Sequence, residues 1–136
     1  DGPFLVKGNT YATFLTLYYV DENGKKQWSG FTTREDDGAP GGNTIFELQP
    51  GVDTIEGVTI GSQRMREGSR ANLHIPSALA YGDKQIGNNR GGGGGLYVPA
   101  GADIIFDIEV FGRVDPNGPG WFMDEDVGLP RKREEL

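Results

Sequence analysis

Residues 103–113 read DIIFDIEVFGR, a segment in which apolar and charged side chains alternate. Successive side chains of a strand point to opposite faces, so Asp107 and Glu109 share one face and the other face is apolar. The apolar face consists of Ile104, Phe106, Ile108 and Val110. The pattern predicts an antiparallel strand with one face in the core and the other toward solvent.

Four earlier segments also favour strands, because β-branched and aromatic residues are frequent in them. They are residues 12–20, 28–33, 44–48 and 69–76. A polar turn with Asn23 and Gly24 at its centre separates the first two segments and predicts a hairpin. Residues 54–67 predict one short helix, and its Gly57 and Gly61 weaken it, so we expect packing against the sheet to stabilise it.

Together these elements predict an α+β fold class, with an antiparallel sheet of about five strands curled around one short helix. The chain has 136 residues, of which 35% are hydrophobic, and this suffices for one domain with a buried core. We expect that domain to comprise residues 1–114. Residues 115–136 carry two proline-containing turns, an acidic run and a basic run, and they predict an extension that docks on something or stays mobile.

Composition excludes several classes of function. The formal net charge of −7 argues against nucleic acid as a partner, because a phosphate-binding surface needs an excess of Lys and Arg. No apolar run approaches the roughly 18 residues of a transmembrane helix, so we expect that the chain does not span a membrane. Cysteine is absent, which removes disulfides and thiol catalysis.

Familiar catalytic and metal-binding patterns are also missing from the sequence. His74 is the one histidine and points outward in a predicted strand, which disfavours a Ser-His-Asp triad. The glycine run at residues 91–95 lacks the Gly-Lys-Ser/Thr of a phosphate-binding loop. The acidic runs at residues 36–37 and 124–126 lack calcium-loop spacing. The sequence therefore predicts no cofactor and no metal, and leaves aromatic side chains as the material for a site.

Three sequence motifs indicate which class of function the chain has. Residues 75–82 read IPSALAYG, residues 98–102 read VPAGA and residues 106–110 read FDIEV. Preceded by Phe46-Glu47-Leu48 and Ile55-Glu56-Gly57, they follow the order and spacing of the FKBP-type peptidyl-prolyl isomerases, which this chain resembles over about residues 8–114. That family has an antiparallel sheet curled around a short helix and binds proline in an aromatic pocket between them.

The resemblance implies a set of site residues by position. The pocket would be lined by Phe31, Phe46, Thr54, Ile55, Val58, Tyr81, Val98 and Phe106, with Tyr97 at the rim. For the tyrosine that the family places on its first long strand we choose Tyr19, because it shares a strand face with Leu15 and Leu17. Tyr18 and Leu15 remain alternatives for that position.

The resemblance also implies how the site works. It needs no acid, base or nucleophile, and it uses a backbone N–H that maps to Ile55 and a tyrosine hydroxyl that maps to Tyr81. Three departures predict weaker drug binding and isomerisation. Val58 replaces the tryptophan of the pocket floor, Thr32 replaces an aspartate, and the glycine-rich loop at residues 82–95 is longer than usual and would hang over the pocket mouth.

Two functions follow as expectations. The first is a prolyl isomerase of reduced activity that acts on proline-containing polypeptides. The second is a weakly catalytic scaffold that docks through its loops and residues 115–136 onto a larger, possibly photosynthetic, membrane complex. For location, the chain is similar to members of the thylakoid lumen in its F-T-T-R segment at residues 31–34 and its glycine-rich insertion, whereas the C-terminal Arg-Glu-Glu-Leu resembles a retrieval signal of the endoplasmic reticulum lumen.

Overall fold

The computed structural model describes residues 2–88 and 95–134. Five strands form one antiparallel sheet and a short helix packs against it, so the predicted fold class is confirmed. A separate two-stranded hairpin follows. The elements are β1 (Thr10–Val20), β2 (Lys26–Thr32), β3 (Phe46–Leu48), α1 (Glu56–Ser62), β4 (Arg70–Ile75), β5 (Ile104–Val114), β6 (Trp121–Asp124) and β7 (Leu129–Lys132).

The sheet has the order β2-β1-β5-β4, and β3 pairs with the first residues of β1. The central strands β1 and β5 are the longest, and the register places Leu17 opposite Phe106. On the far side of β5, Phe106 lies opposite Leu73 of β4. Apolar side chains thus continue across three neighbouring strands, and they form the face on which α1 packs.

Helix α1 is shorter than the predicted 54–67 because tight turns follow it, with Arg64 N–H bonded to the Gly61 carbonyl at 3.1 Å and Met65 N–H to the Ser62 carbonyl at 3.0 Å. Its two glycines have a packing role. A Cβ atom on Gly57 would overlap the side chain of Ile75, and one on Gly61 would lie 2.9 Å from Leu73 Cδ1. The glycines therefore allow the helix to approach β4 closely.

The segment after β5 forms a hairpin of β6 and β7, which the sequence analysis did not predict as strands. The Trp121 ring covers Gly112, and its Nε1–H donates to the Arg113 carbonyl at 3.1 Å. Across the hairpin, the acidic and basic runs meet in a salt bridge between Asp124 and Arg131 at 2.9 Å. Residues 121–132 are therefore a folded hairpin whose tryptophan packs on the end of β5.

None of the helices in residues 2–88 and 95–134 has the length and hydropathy to cross a membrane.

Ser62, at the last turn of α1, provides a test of the core. Its side chain is fully buried, and its hydroxyl has no hydrogen-bond partner among the described residues. A buried unpaired hydroxyl costs about 1–3 kcal/mol, and alanine also favours helix, so Ser62→Ala is expected to raise the free energy of unfolding by about 1 kcal/mol. Ser69→Ala is the control, because its hydroxyl donates to the Arg66 carbonyl at 2.6 Å and its loss should lower stability. Equal effects in urea unfolding would contradict this account.

Candidate functional site

A cavity of about 270 Å³ lies between α1 and the apolar face of the sheet. Strands β1, β2, β3 and β5 provide half of its lining residues, the turn before α1 and the helix itself provide four more, and the segment between β4 and β5 provides the remaining two. The lining residues are Leu15, Leu17, Phe31, Phe46, Leu48, Asp53, Thr54, Ile55, Val58, Tyr81, Leu96 and Phe106. Its volume is just below the roughly 300–1,000 Å³ of pockets for drug-sized ligands, which favours a small occupant such as one ring.

Aromatic rings shape the cavity. The rings of Phe31 and Phe46 meet edge to face with their centroids 6.1 Å apart. Phe106 is nearly buried and Tyr81 half-buried, and both belong to the same packed cluster as these two phenylalanines. Such rings give an apolar, water-poor surface on several sides of a bound group.

A rigid turn leads from β3 into α1 and forms one side of the cavity. Gly51 N–H donates to the Thr54 hydroxyl at 2.9 Å, and the Thr54 and Thr59 hydroxyls lie 2.7 Å apart. Asp53 adopts a left-handed backbone conformation with φ of 56°, which non-glycine residues adopt at a cost. Strain of this kind is retained where the surrounding structure fixes it, and here it places Asp53, the one acidic residue of the described lining, at the cavity.

Ile55 is the N-cap of α1 and has an extended backbone with φ −63° and ψ 156°. Its carbonyl accepts hydrogen bonds from the N–H groups of Val58 and Thr59, each at 3.0 Å. In contrast, the Ile55 N–H donates to no backbone carbonyl of the described residues. The N–H of this lining residue is therefore not used by the backbone hydrogen bonds of the described residues.

The Tyr81 side chain supplies the other polar group. It follows β4 in the segment that begins with a 3₁₀ turn at Ser77–Leu79. Burial alone raises the pKa of Tyr81 above its ordinary value, so the hydroxyl stays protonated at neutral pH. It can act as a hydrogen-bond donor but not as a base.

The structure brings together seven of the ten residues predicted for the site: Phe31, Phe46, Thr54, Ile55, Val58, Tyr81 and Phe106. Three others lie elsewhere. Tyr19 is one strand repeat beyond Leu17 and packs edge to face on Tyr97, with ring centroids 5.6 Å apart, in a neighbouring groove. Val98 is fully buried in the core.

Of the alternatives for the strand position, Leu15 lines the cavity together with Leu17, and Tyr18 does not. The alternation of β1 contained this signal, because Leu15 and Leu17 share a face. The other lining residues that sequence reasoning missed are Leu48, Asp53 and Leu96. Leu48 lies in the predicted strand at residues 44–48, which was a signal that could have identified it. No sequence pattern pointed to Asp53 or Leu96.

Val58 and Thr32, two residues that depart from the family pattern, differ in their position relative to the cavity. Val58 lies at the cavity and is only 4% exposed, so a small aliphatic side chain occupies that wall. Thr32 does not line it. Its hydroxyl lies 2.7 Å from that of Thr16, which also donates to Asp37 at 2.8 Å. Thr32 thus belongs to a polar network with Thr16, which is fully buried on the sheet face opposite that of Leu15 and Leu17.

Most of the glycine run, predicted to hang over the pocket mouth, falls at residues 89–94, outside the described residues. The last two residues of the Arg-Glu-Glu-Leu sequence, Glu135 and Leu136, also lie outside them.

Several known proteins resemble this chain in sequence or fold. Residues 22–111 match the model of the FKBP-type peptidyl-prolyl cis-trans isomerase family. The chain is 36% identical over 99 residues to FK506-binding protein 1 of Debaryomyces hansenii, covering 71% of this chain and 73% of that protein. It is 35% identical over 108 residues to the FK506-binding protein of Streptomyces anulatus, covering 78% and 73%.

Two solved structures have a similar fold. The crystal structure of AtFKBP13 is 28% identical in sequence with a TM-score of 0.59, and the match covers 83% of this chain and 85% of that one. The N-terminal domain of FKBP42 from Arabidopsis thaliana is 25% identical with a TM-score of 0.59, covering 85% and 80%. The family match includes every cavity-lining residue except Leu15 and Leu17.

Proposed function

The chain belongs to the FKBP-type peptidyl-prolyl cis-trans isomerase family, and from this premise we propose that its cavity binds a proline ring of a polypeptide and accelerates rotation about the preceding peptide bond. The observation that carries the proposal is an apolar cavity of about 270 Å³, lined by Ile55, whose N–H donates to no backbone carbonyl of the described residues. The volume suits one pyrrolidine ring better than a large ligand.

The reaction depends on the low polarity of the site and does not require a reactive side chain. Rotation about an X-Pro bond breaks amide resonance against a barrier of about 18–20 kcal/mol. The twisted amide is less polar than the planar one, so an apolar site stabilises it relative to the ground state. In this proposal the walls of Phe46, Phe106 and Leu17 provide that environment, while the Ile55 N–H holds a carbonyl of the substrate and the Tyr81 hydroxyl anchors its chain.

We also propose that turnover is slower than in relatives with a tryptophan at the position of Val58. An aromatic face against the ring is worth about 0.5–1.5 kcal/mol beyond the area that it buries. Val58 and the leucines of β1 bury the ring without offering such a face. Binding of proline persists with these residues, but the selective stabilisation of the twisted state is smaller.

The test is a proline-peptide isomerisation assay on the wild-type chain, Val58→Trp and Val58→Leu. We expect measurable wild-type catalysis, a rise in kcat/KM of about three- to tenfold for Val58→Trp from the added ring face, and little change for Val58→Leu. Unfolding curves would show that all three proteins are folded. No catalysis by folded wild-type and Val58→Trp proteins would overturn the enzymatic role.

A scaffold role is the second candidate, and the C-terminal hairpin favours it. Val127 and Leu129, in and after its turn, are 57% and 46% exposed. In this role the hairpin would dock on a membrane protein complex, and Val127→Glu with Leu129→Glu would abolish binding to detergent-solubilised thylakoid membranes while leaving peptide isomerisation intact. Binding that survives both changes would remove the hairpin from that role.

We propose the thylakoid lumen as the location. The F-T-T-R segment at residues 31–34 and the glycine-rich insertion support it, and so does the structural likeness to AtFKBP13. The endoplasmic reticulum lumen is the alternative, favoured by the C-terminal Arg-Glu-Glu-Leu. Import of a tagged precursor into isolated chloroplasts, followed by fractionation of the lumen, separates the two locations.

A further inference from the structure

A second cavity, of about 570 Å³, opens where the end of β1 faces the segment that precedes β5. We call it the tyrosine groove, because Tyr19 and Tyr97 line it with their rings edge to face, 5.6 Å apart. The two sides are tied together by the N–H of Val20, which donates to the Asp103 carbonyl at 2.9 Å. The groove is therefore a fixed feature of the fold.

The charged side chains that line the tyrosine groove are all acidic. Asp21, Glu22 and Asp103 line it, and no Lys or Arg does so among the described residues. The Asp21 carboxylate accepts hydrogen bonds at 2.9 Å from the N–H groups of Asn23 and Lys25 and from the Gln27 amide, which lower the pKa of Asp21. Asp103 accepts one from the Ser77 N–H at 2.9 Å. These bonds hold both carboxylates in place before any ligand arrives.

The tyrosine groove lies beside the proline cavity, because residues that line the two are neighbours along the chain. Leu17 lines the cavity and precedes Tyr19 by two residues on the same face of β1, and Leu96 lines the cavity beside Tyr97. Two residues of extended chain span about 6.6 Å, so a polypeptide with its proline in the cavity reaches the groove with the side chain about two residues away.

The tyrosine and acidic side chains of the groove favour a positively charged ligand. Tyrosine faces attract ammonium and guanidinium groups, and carboxylates bind the same groups through charge-assisted hydrogen bonds. A metal ion is a poorer fit, because in residues 2–88 and 95–134 no three acidic or histidine side chains converge as metal ligands do. We propose that the tyrosine groove binds a lysine or arginine of the client polypeptide, two residues from its proline. This inference rests on the proposed function of the cavity.

The test uses short peptides built around Leu-Pro, with lysine two residues before or two residues after the proline, and matched peptides with glutamine in its place. Dissociation constants are measured by amide shift titration at low salt. One lysine peptide is expected to bind about fivefold more tightly than its glutamine partner, which corresponds to an exposed ion pair plus a cation–π contact. Its shifts should include Tyr19, Glu22 and Asp103, and the preference should weaken in high salt.

The variant Glu22→Gln with Asp103→Asn removes two charges from the tyrosine groove, and is expected to reduce the preference to below about twofold, since each ion pair contributes modestly. Glu125→Gln with Asp126→Asn is the control, because it removes the same charge from the turn of the C-terminal hairpin and should leave the preference unchanged. Suppose that lysine and glutamine peptides bind equally well to the wild-type protein while the glutamine peptides are still isomerised. This result would overturn the proposed binding of a basic side chain in the groove, but not the proposed isomerase function of the cavity. Failure to isomerise any peptide would instead overturn the proposed function, and the shift titration would still decide whether the groove binds lysine.

Discussion

Ile55→Pro is expected to lower kcat/KM for a Leu-Pro peptide by about 10- to 100-fold, within the range seen when a backbone or side-chain donor is removed from an active site. The substitution deletes the N–H that the proposed mechanism uses. Proline fixes φ near −65°, and Ile55 already has φ −63°, so the backbone accommodates the ring. Because this N–H donates to no backbone carbonyl of the described residues, its loss breaks no backbone hydrogen bond of the folded chain there.

Ile55→Ala is the matched control. It shortens the side chain that lines the cavity but keeps the N–H, so the difference between the two variants isolates the donor. Urea unfolding would show whether both proteins are folded under assay conditions. If the proline and alanine variants lose the same activity, the Ile55 N–H has no part in the reaction.

Gly57→Val is expected to lower the free energy of unfolding by about 3 kcal/mol, at the upper end of the usual cost of overpacking. A Cβ atom at this position overlaps the side chain of Ile75, which stands near the start of the helix and is itself only 4% exposed. The helix must move away from β4, and because Ile55 and Val58 belong to the same turn, the cavity should open and isomerisation should fall as well.

Gly61→Ala provides the comparison. Its Cβ would meet Leu73 Cδ1, the far end of a flexible side chain, at 2.9 Å, so rotation of the leucine relieves the contact. Alanine also gains about 1 kcal/mol of helix propensity over glycine, and the net change should be small. Pairing Gly57→Val with Ile75→Ala should cost less than the sum of the two single changes. Additive costs would show that Gly57 does not set the distance between helix and strand.

Strand β1 is buried on both faces over much of its length, and its β-branched and aromatic composition predicted it, whereas β4 and β5 could be predicted from one buried face. In β5 and β4 that alternation is regular, and both strands lie within a residue or two of their predicted limits. The hairpin of β6 and β7 had no such signal, because its strands have four residues and none of the residues of β6 is fully buried. Its position depends on the contact of Trp121 with Gly112 of β5, and the segment that carries Trp121 has no periodic pattern of its own.

Residues of the candidate site could be predicted where a sequence motif fixed their position. They could not be predicted where lining the cavity depended on the direction of a side chain at its edge. Phe46, Tyr81 and Phe106 lie within the quoted motifs and line the cavity. Tyr19 shares the strand face of Leu17, as expected, but it is one repeat too far along and meets Tyr97 instead. Asp53 reaches the cavity through a left-handed backbone, which a sequence pattern of side chains does not encode.

The most direct measurement of the central claim is a nuclear Overhauser experiment on the wild-type chain with a peptide whose proline is carbon-13 labelled. We expect contacts from the proline ring to the rings of Phe46, Tyr81 and Phe106, together with exchange between cis and trans proline signals that becomes faster as protein is added. Contacts from the proline ring to other surfaces only, with the exchange rate unchanged by the protein, would contradict the claim.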